Sequence, residues 1–248
     1  MNHSTRNITV AGLLIMLLLP QSLYAMHIAE GFLPPQWCLL WYIVDIPFII
    51  WGIRSIKKQT ALNNKIKILL GVAGGFTFLL SALKLPSLTG SCSHMTGTGL
   101  GAILFGPATM SVLGLVVLLF QALLLAHGGI TTLGANVCSM GICGPFLSWG
   151  IYRLFTKLKV NRSVTVFLAT ALGSLFTYCV TAFQLAVAFP GANGSILASF
   201  IKFISIFGIT QLPLSVVEGL ISVMVFNFIQ SHNAEELTAL HVPKKTVR

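Results

Sequence analysis

The 248 residues are 55% hydrophobic and only 8% charged, with a mean hydropathy of +0.89. A soluble domain carries about 25% charged residues, so the composition excludes one and points to an all-α, polytopic membrane protein. The net charge of +10 does not indicate nucleic acid, because the basic residues sit at the ends of apolar segments instead of clustering on one polar face.

The chain opens with Arg6, an apolar run from Val10 to Leu19, then Pro20 and the small-residue site Leu23-Tyr24-Ala25. That layout reads as a cleavable secretory signal over residues 1–25. The run is about half the length of the ~20 apolar residues that a membrane-spanning helix needs. Residues 26–230 then form the membrane domain and residues 231–248 a polar cytoplasmic tail.

Trp37 to Gly52 reads as a first span that ends before Arg54, Lys57, Lys58, Lys65 and Lys67, which places its far end in the cytoplasm. Ile68 to Leu83 returns outward. The next basic cluster, Arg153, Lys157, Lys159 and Arg162, belongs inside as well, so an odd number of crossings must precede it. Breaking the long apolar tract, about 97 to 126, at Gly106-Pro107 satisfies that parity, since proline removes a helical hydrogen bond and disfavours helix in the residue before it. The resulting short span from Gly97 to Phe105 must be buried in protein, away from lipid. Val137 to Tyr152, Val164 to Phe189 with the turn Pro190-Gly191-Ala192-Asn193-Gly194, and Ile196 to Ile229, interrupted near Pro213, complete the count. The expectation is seven transmembrane helices after signal removal, amino end outside and carboxyl end cytoplasmic. The small-residue tracts Gly71 to Gly75 and Gly97 to Gly101 suit close packing between helices of the same chain.

The five cysteines, Cys38, Cys92, Cys138, Cys143 and Cys179, are odd in number, and the five-residue step from Cys138 to Cys143 fits neither a zinc knuckle nor a redox pair. They read as small apolar packing residues.

Cleavage after Ala25 would leave Met26-His27 at the mature amino terminus, and that dipeptide is a chelate. The Met26 amine and the His27 amide nitrogen close a five-membered ring on a metal, and the same amide with His27 Nδ1 closes a six-membered one. Three nitrogens then share a plane. His94, in the polar, glycine-rich segment Gly90-Ser91-Cys92-Ser93-His94-Met95-Thr96-Gly97, is read as the fourth corner. Tetragonal nitrogen coordination favours Ni(II) or Cu(II), can accept low-spin Co(II), and suits zinc poorly. Amide deprotonation makes binding weaken in acid. Glu30 is read as fastening the loop by hydrogen bonds, and His127 as a runner-up ligand with a positioning role. Ser91, Ser93, Thr96 and Asn136 are further hydrogen-bonding positions around the metal. Asp45 and Glu218 remain open between structural pairing, partner contacts and an ion path.

Met26-His27-Ile28-Ala29-Glu30-Gly31-Phe32-Leu33-Pro34, Ser81-Ala82-Leu83-Lys84-Leu85-Pro86-Ser87, the segment from Gly90 to Gly101, and Leu123-Leu124-Leu125-Ala126-His127-Gly128-Gly129 closely resemble the CbiM/NikM family over nearly all of the mature chain. These are substrate-capture components of energy-coupling factor importers for cobalt and nickel. The resemblance implies a square-planar site near the outer surface made by Met26, His27 and His94, with an amino-terminal loop inserted into a bundle of seven helices. It also implies partners: a membrane coupling protein, two ATP-binding cassette ATPases and a small accessory membrane protein of CbiN type. Some members begin directly at the Met-His motif, whereas this chain must be cut to expose its amine. Members with a cleavable signal tend to the cobalt branch linked to cobalamin synthesis, so Co(II) is the expected ion, with Ni(II) the alternative and a membrane metal sensor without transport more remote. The chain has no GxxxxGK[ST] loop for ATP and no His-Glu-x-x-His set for metalloprotease chemistry, so no enzymatic activity, permanent cofactor or nucleic-acid partner is expected. Its place is the cytoplasmic membrane.

Overall fold

The computed structural model describes residues 24–25, 27–86 and 91–232; the other residues, including Met26, nearly all of the expected signal and the tail beyond His232, lie outside the described residues. Within them the chain is a bundle of helices: α1 (Pro35–Leu62), α2 (Lys65–Ala82), α3 (Thr98–Phe105), α4 (Pro107–Leu125), α5 (Leu133–Asn136), a π-helix (Val137–Cys143), α6 (Gly144–Lys157), α7 (Arg162–Ala188) and α8 (Ile196–His232). Three short strands, β1 (Tyr24–Ala25), β2 (Leu85–Pro86) and β3 (Ser91–Ser93), form a small ladder in the order β1-β3-β2. β1 runs parallel to β3, with Ala25 opposite Cys92, and β2 antiparallel to it, with Leu85 opposite Ser93.

Among the described residues five helices, α1, α2, α4, α7 and α8, are long and apolar enough to cross a bilayer. Their outward faces carry exposed Leu39, Ile43, Ile68, Leu124, Leu197 and Met224, a girdle of apolar surface that water would not tolerate and lipid does. α1 has 28 residues, about 42 Å at 1.5 Å per residue. It therefore outruns the hydrocarbon core and carries Arg54, Lys57 and Lys58 in its last turns, whereas the sequence suggested an end near Gly52.

The break at Gly106-Pro107 is present. Gly106 has φ +87°, which only glycine adopts without strain, and Pro107 starts α4 at the first-turn position where no amide hydrogen is needed. All eight residues of α3 are buried. This short helix is the centre of a core cluster in which Leu100, Ile103, Leu104 and Phe105 meet Ile66, Leu70, Val166 and Phe226, as an element too short to span lipid requires. Pro213, by contrast, does not interrupt α8, which is continuous over 37 residues. A single missing amide donor is affordable inside a bundle whose α7 packs along the same helix.

The helical run expected from Val137 begins at Leu133 and passes through the π-helix before α6. Cys138 and Cys143 both lie on this π-helix, with free thiols. The two glycine tracts differ. Gly99 packs on Ser148 and Thr170 and Gly101 on Met110, but Gly71 and Gly75 have nothing within 4 Å. Gly71 and Gly75 therefore face outward, while Ala73 packs on the core cluster and Gly74 faces Leu113, so only part of the α2 tract takes the packing within the chain that was expected of it.

Candidate metal centre

The first residues of the membrane domain form a loop, 27–34, that dips into the bundle, with His27, Ile28 and Leu33 buried. Ile28 and Leu33 pack against Ala135, Tyr178, Ala182 and Phe207. Its backbone is fastened to the segment after α4: Ile28 N–H donates to Asn136 Oδ1 at 2.8 Å, while Asn136 Nδ2 and Thr132 Oγ1 donate to the Ile28 carbonyl at 3.1 and 2.6 Å. Glu30 accepts from Thr131 N–H, and Gly31 N–H donates to Thr131 Oγ1. Hydrogen bonds from Thr131 and Ile130 hold the exposed Glu30 carboxyl below the usual carboxylate range. Gly129 permits this approach, because a Cβ there would fall on the Cα of Glu30.

His94 follows β3 and is held at both ends of its peptide unit. Tyr178 Oη accepts from His94 N–H at 3.1 Å and donates to His94 O at 2.7 Å. Two residues on, Glu218 of α8 accepts from Thr96 N–H, Thr96 Oγ1, Gly97 N–H and Ser174 Oγ at 2.6–2.8 Å. Glu218, left open by the sequence, thus ties the His94 loop to α7 and α8. His127 stands just past the end of α4, where Ala126 and Gly128 both take left-handed φ.

The three elements bring His27, His94 and His127 together, each no more than 2% exposed. His27 Nδ1 lies 3.1 Å from His94 Nε2 and 2.9 Å from His127 Nε2. The His27 and His94 rings are stacked, with centroids 4.6 Å apart, and His127 stands edge-on to both. His94 Nδ1 is 2.7 Å from the Met95 carbonyl, which fixes the proton on Nδ1 and leaves Nε2 a bare lone pair. Three ring nitrogens cannot satisfy one another here. His27 Nδ1 can give at most one proton, so one of its two contacts is shared or sets lone pair against lone pair. A cation at the point of convergence satisfies all three. Burial pushes all three imidazoles below their ordinary value, His94 to about 4, so they are neutral donors at ordinary pH.

The sequence ranked His127 behind His94, but its Nε2 is the nearer to His27 Nδ1. Met140 was missed. Its Sδ lies 3.3 Å from His27 Nε2 on the π-helix, and nothing in a lone methionine of an apolar tract signals that placement. Among the other expected residues, Ser93 bonds Thr210 Oγ1 at 2.6 Å, Thr96 reaches Glu218, and Asn136 holds Ile28, all one step removed from the imidazoles. The Ser91 side chain, like Met26, lies outside the described residues. Asp45 is buried in α1 and is not part of this cluster, and its Oδ1 has no hydrogen-bond partner among the described residues.

Residues 27–236 match the CbiM family model, described as a cobalt uptake substrate-specific transmembrane region. The chain is similar to the cobalt transport protein CbiM of Desulforamulus reducens, 62% identical over 216 residues that cover 87% of this chain and 86% of that one. It is also similar to the cobalt transport protein CbiM of Moorella thermoacetica, 56% identical over 247 residues covering 99% and 95%. A crystal structure of a transition metal transporter superposes with a TM-score of 0.75 at 26% identity, over 88% of this chain and all of that one. That of a truncated transition metal transporter gives 0.73 at 27%, over 83% and 99%. The chain belongs to the CbiM family of cobalt-uptake transmembrane proteins.

Proposed function

We propose that this chain is the substrate-capture subunit of an ATP-driven energy-coupling factor importer and binds Co(II), as substrate, at the outer face of the cytoplasmic membrane. The observation that carries this reading is the convergence of His94 Nε2 and His127 Nε2 on His27 Nδ1. That atom is the one whose ring closure with the His27 amide makes the terminal chelate.

Cleavage after Ala25 exposes the Met26 amine. The amine, the His27 amide and His27 Nδ1 occupy three corners of a square plane, and His94 Nε2 the fourth. His127 positions His27 and approaches from the side of the stacked pair, and its edge-on orientation suits a contact above the plane. Ni(II) would find the same donors, and the cobalt assignment rests on the family. Seven crossings follow if α3 and the run from α5 to α6 each traverse the bundle, with the basic ends of α1 and α6 cytoplasmic. Release is driven by the coupling protein, the two ATPases and the accessory CbiN-type protein, which supply the hydrolysis that this chain lacks.

The test is intact-mass and amino-terminal analysis of the purified protein with its bound metal, alongside a variant carrying one extra residue between Ala25 and Met26. Mature protein starting at Met26 should bind Co(II), and the extended protein should lose it. Equal binding with the extra residue confirmed by mass would remove the terminal amine from the site. If cells show no coupling-dependent uptake of radioactive cobalt or nickel, the importer reading fails and a membrane sensor or scaffold is left.

A further inference from the structure

A second cavity, unrelated to the histidines, opens at the basic ends of α1 and α6. It has a volume of about 750 Å³ and is lined by the last turns of α1, by the α3-to-α4 break and by α6. We propose that this cavity binds the phosphate headgroup of an anionic phospholipid.

Charge argues first. Lys58, Arg153 and Lys157 line the cavity, and among the described residues no acidic side chain does. Basic pockets between membrane helices are the sites where acidic lipid headgroups settle. Arg153 lies with its guanidinium 4.5 Å from the centroid of the Trp149 ring, a contact that orients the fork while leaving its N–H groups to donate.

Backbone polarity points the same way. Gly106, Pro107 and Ala108 line the wall, so the amino-terminal end of α4, a helix of 19 residues, faces the cavity with its positive pole. The opposing negative pole of α3 is blunted, because Gln59 Nε2 donates to the Phe105 carbonyl at 3.0 Å. Tyr152 provides the independent sign of a ligand. It lines the cavity, is 6% exposed, and its hydroxyl, beside Thr156, makes no hydrogen bond of normal geometry among the described residues. A phosphate oxygen is an acceptor to which such a buried hydroxyl can donate.

The apolar remainder selects a lipid over a free anion. Ile66, Ile103 and Leu104 line the same space, and Trp51 and Leu62 at its margin are 52% and 74% exposed on the lipid-facing surface. An inorganic phosphate would leave that wall wet, whereas the glycerol and first methylenes of a phospholipid cover it.

The experiment is native mass spectrometry of the full-length protein released from micelles containing equal phosphatidylglycerol and phosphatidylcholine. Preferential retention of phosphatidylglycerol over phosphatidylcholine on the order of a hundredfold is expected, from about 1 kcal/mol for each of three cations. The triple variant Lys58→Gln/Arg153→Gln/Lys157→Gln should lose that preference. Tyr152→Phe, which keeps the ring and removes only the hydroxyl, should weaken retention while the helical circular dichroism is unchanged. Equal retention of the two lipids, or a preference that persists in the triple variant, overturns the proposal. Displacement of phosphatidylglycerol by millimolar inorganic phosphate also overturns it, since the site would then be one for a small anion.

Discussion

Removing the Glu218 carboxylate should loosen the metal loop from a distance. Its two oxygens accept four hydrogen bonds, and two of the donors, Thr96 N–H on Oε2 and Gly97 N–H on Oε1, are main-chain groups that cannot turn elsewhere. The hydroxyls of Thr96 and Ser174 can rotate; Ser174 Oγ already accepts from Gln211 Nε2. The cost is therefore set by the amides. Glu218→Ala strands both, about 2–6 kcal/mol at about 1–3 kcal/mol for each buried unmatched donor. Glu218→Gln keeps one acceptor oxygen but must turn an NH2 group toward the other amide, about half that cost. At about 2–4 °C per kcal/mol for a chain of this size, Gln should lower the melting temperature by several degrees and Ala by roughly twice as much. Because Thr96 is two residues from His94, Co(II) affinity should fall in the same order, as the competent loop becomes less populated. Thermal unfolding in detergent, followed by intrinsic fluorescence, and Co(II) titration read the two effects. A Glu218→Ala protein that melts and binds like the parent would refute the latch.

Gly129→Ala should cost Co(II) affinity, since its Cβ would occupy the place of Glu30 Cα and lift the 27–34 loop away from Thr131; titration of the folded variant checks it, and unchanged affinity would mean that the loop re-docks freely. His27→Ala and His94→Ala should each abolish tight Co(II) binding, while His127→Ala should weaken it less, as isothermal titration would read; an equal loss for His127 would make it a direct ligand. In the metal-free protein, burial lowers the His94 value from 6.5 to about 4, so the unfolded chain takes up the proton first as pH falls. The stabilising effect is then whole above pH 6.5 and is lost as pH drops toward 4. His27 and His127 shift in the same direction. Melting curves across that window should show steady destabilisation, and a flat profile would exclude three neutral buried imidazoles.

Much of the architecture was legible because a bilayer leaves few options. Apolar length and the position of Arg and Lys locate spans, and Gly106-Pro107 breaks a helix for reasons of backbone chemistry alone. Pro213 shows the limit of that logic: the same missing donor is absorbed when a neighbouring helix packs alongside. The outward face of Gly71 and Gly75 shows it again, since a small-residue tract permits close approach without saying from which element.

At the site, the sequence by itself picked out two of the three imidazoles that cluster: His27 behind the signal-like segment, and His94 in a polar segment that must be buried. Their chemistry is local, written in bond lengths and ring sizes. Only the tertiary structure decided that His127, 100 residues from His27 in sequence, points Nε2 at the same atom. It alone showed that Met140 stands behind the ring and that Glu218 holds the loop from α8. Those relations depend on how helices cross and on where each carries its polar groups, which are matters of packing between distant segments and leave no periodicity to read.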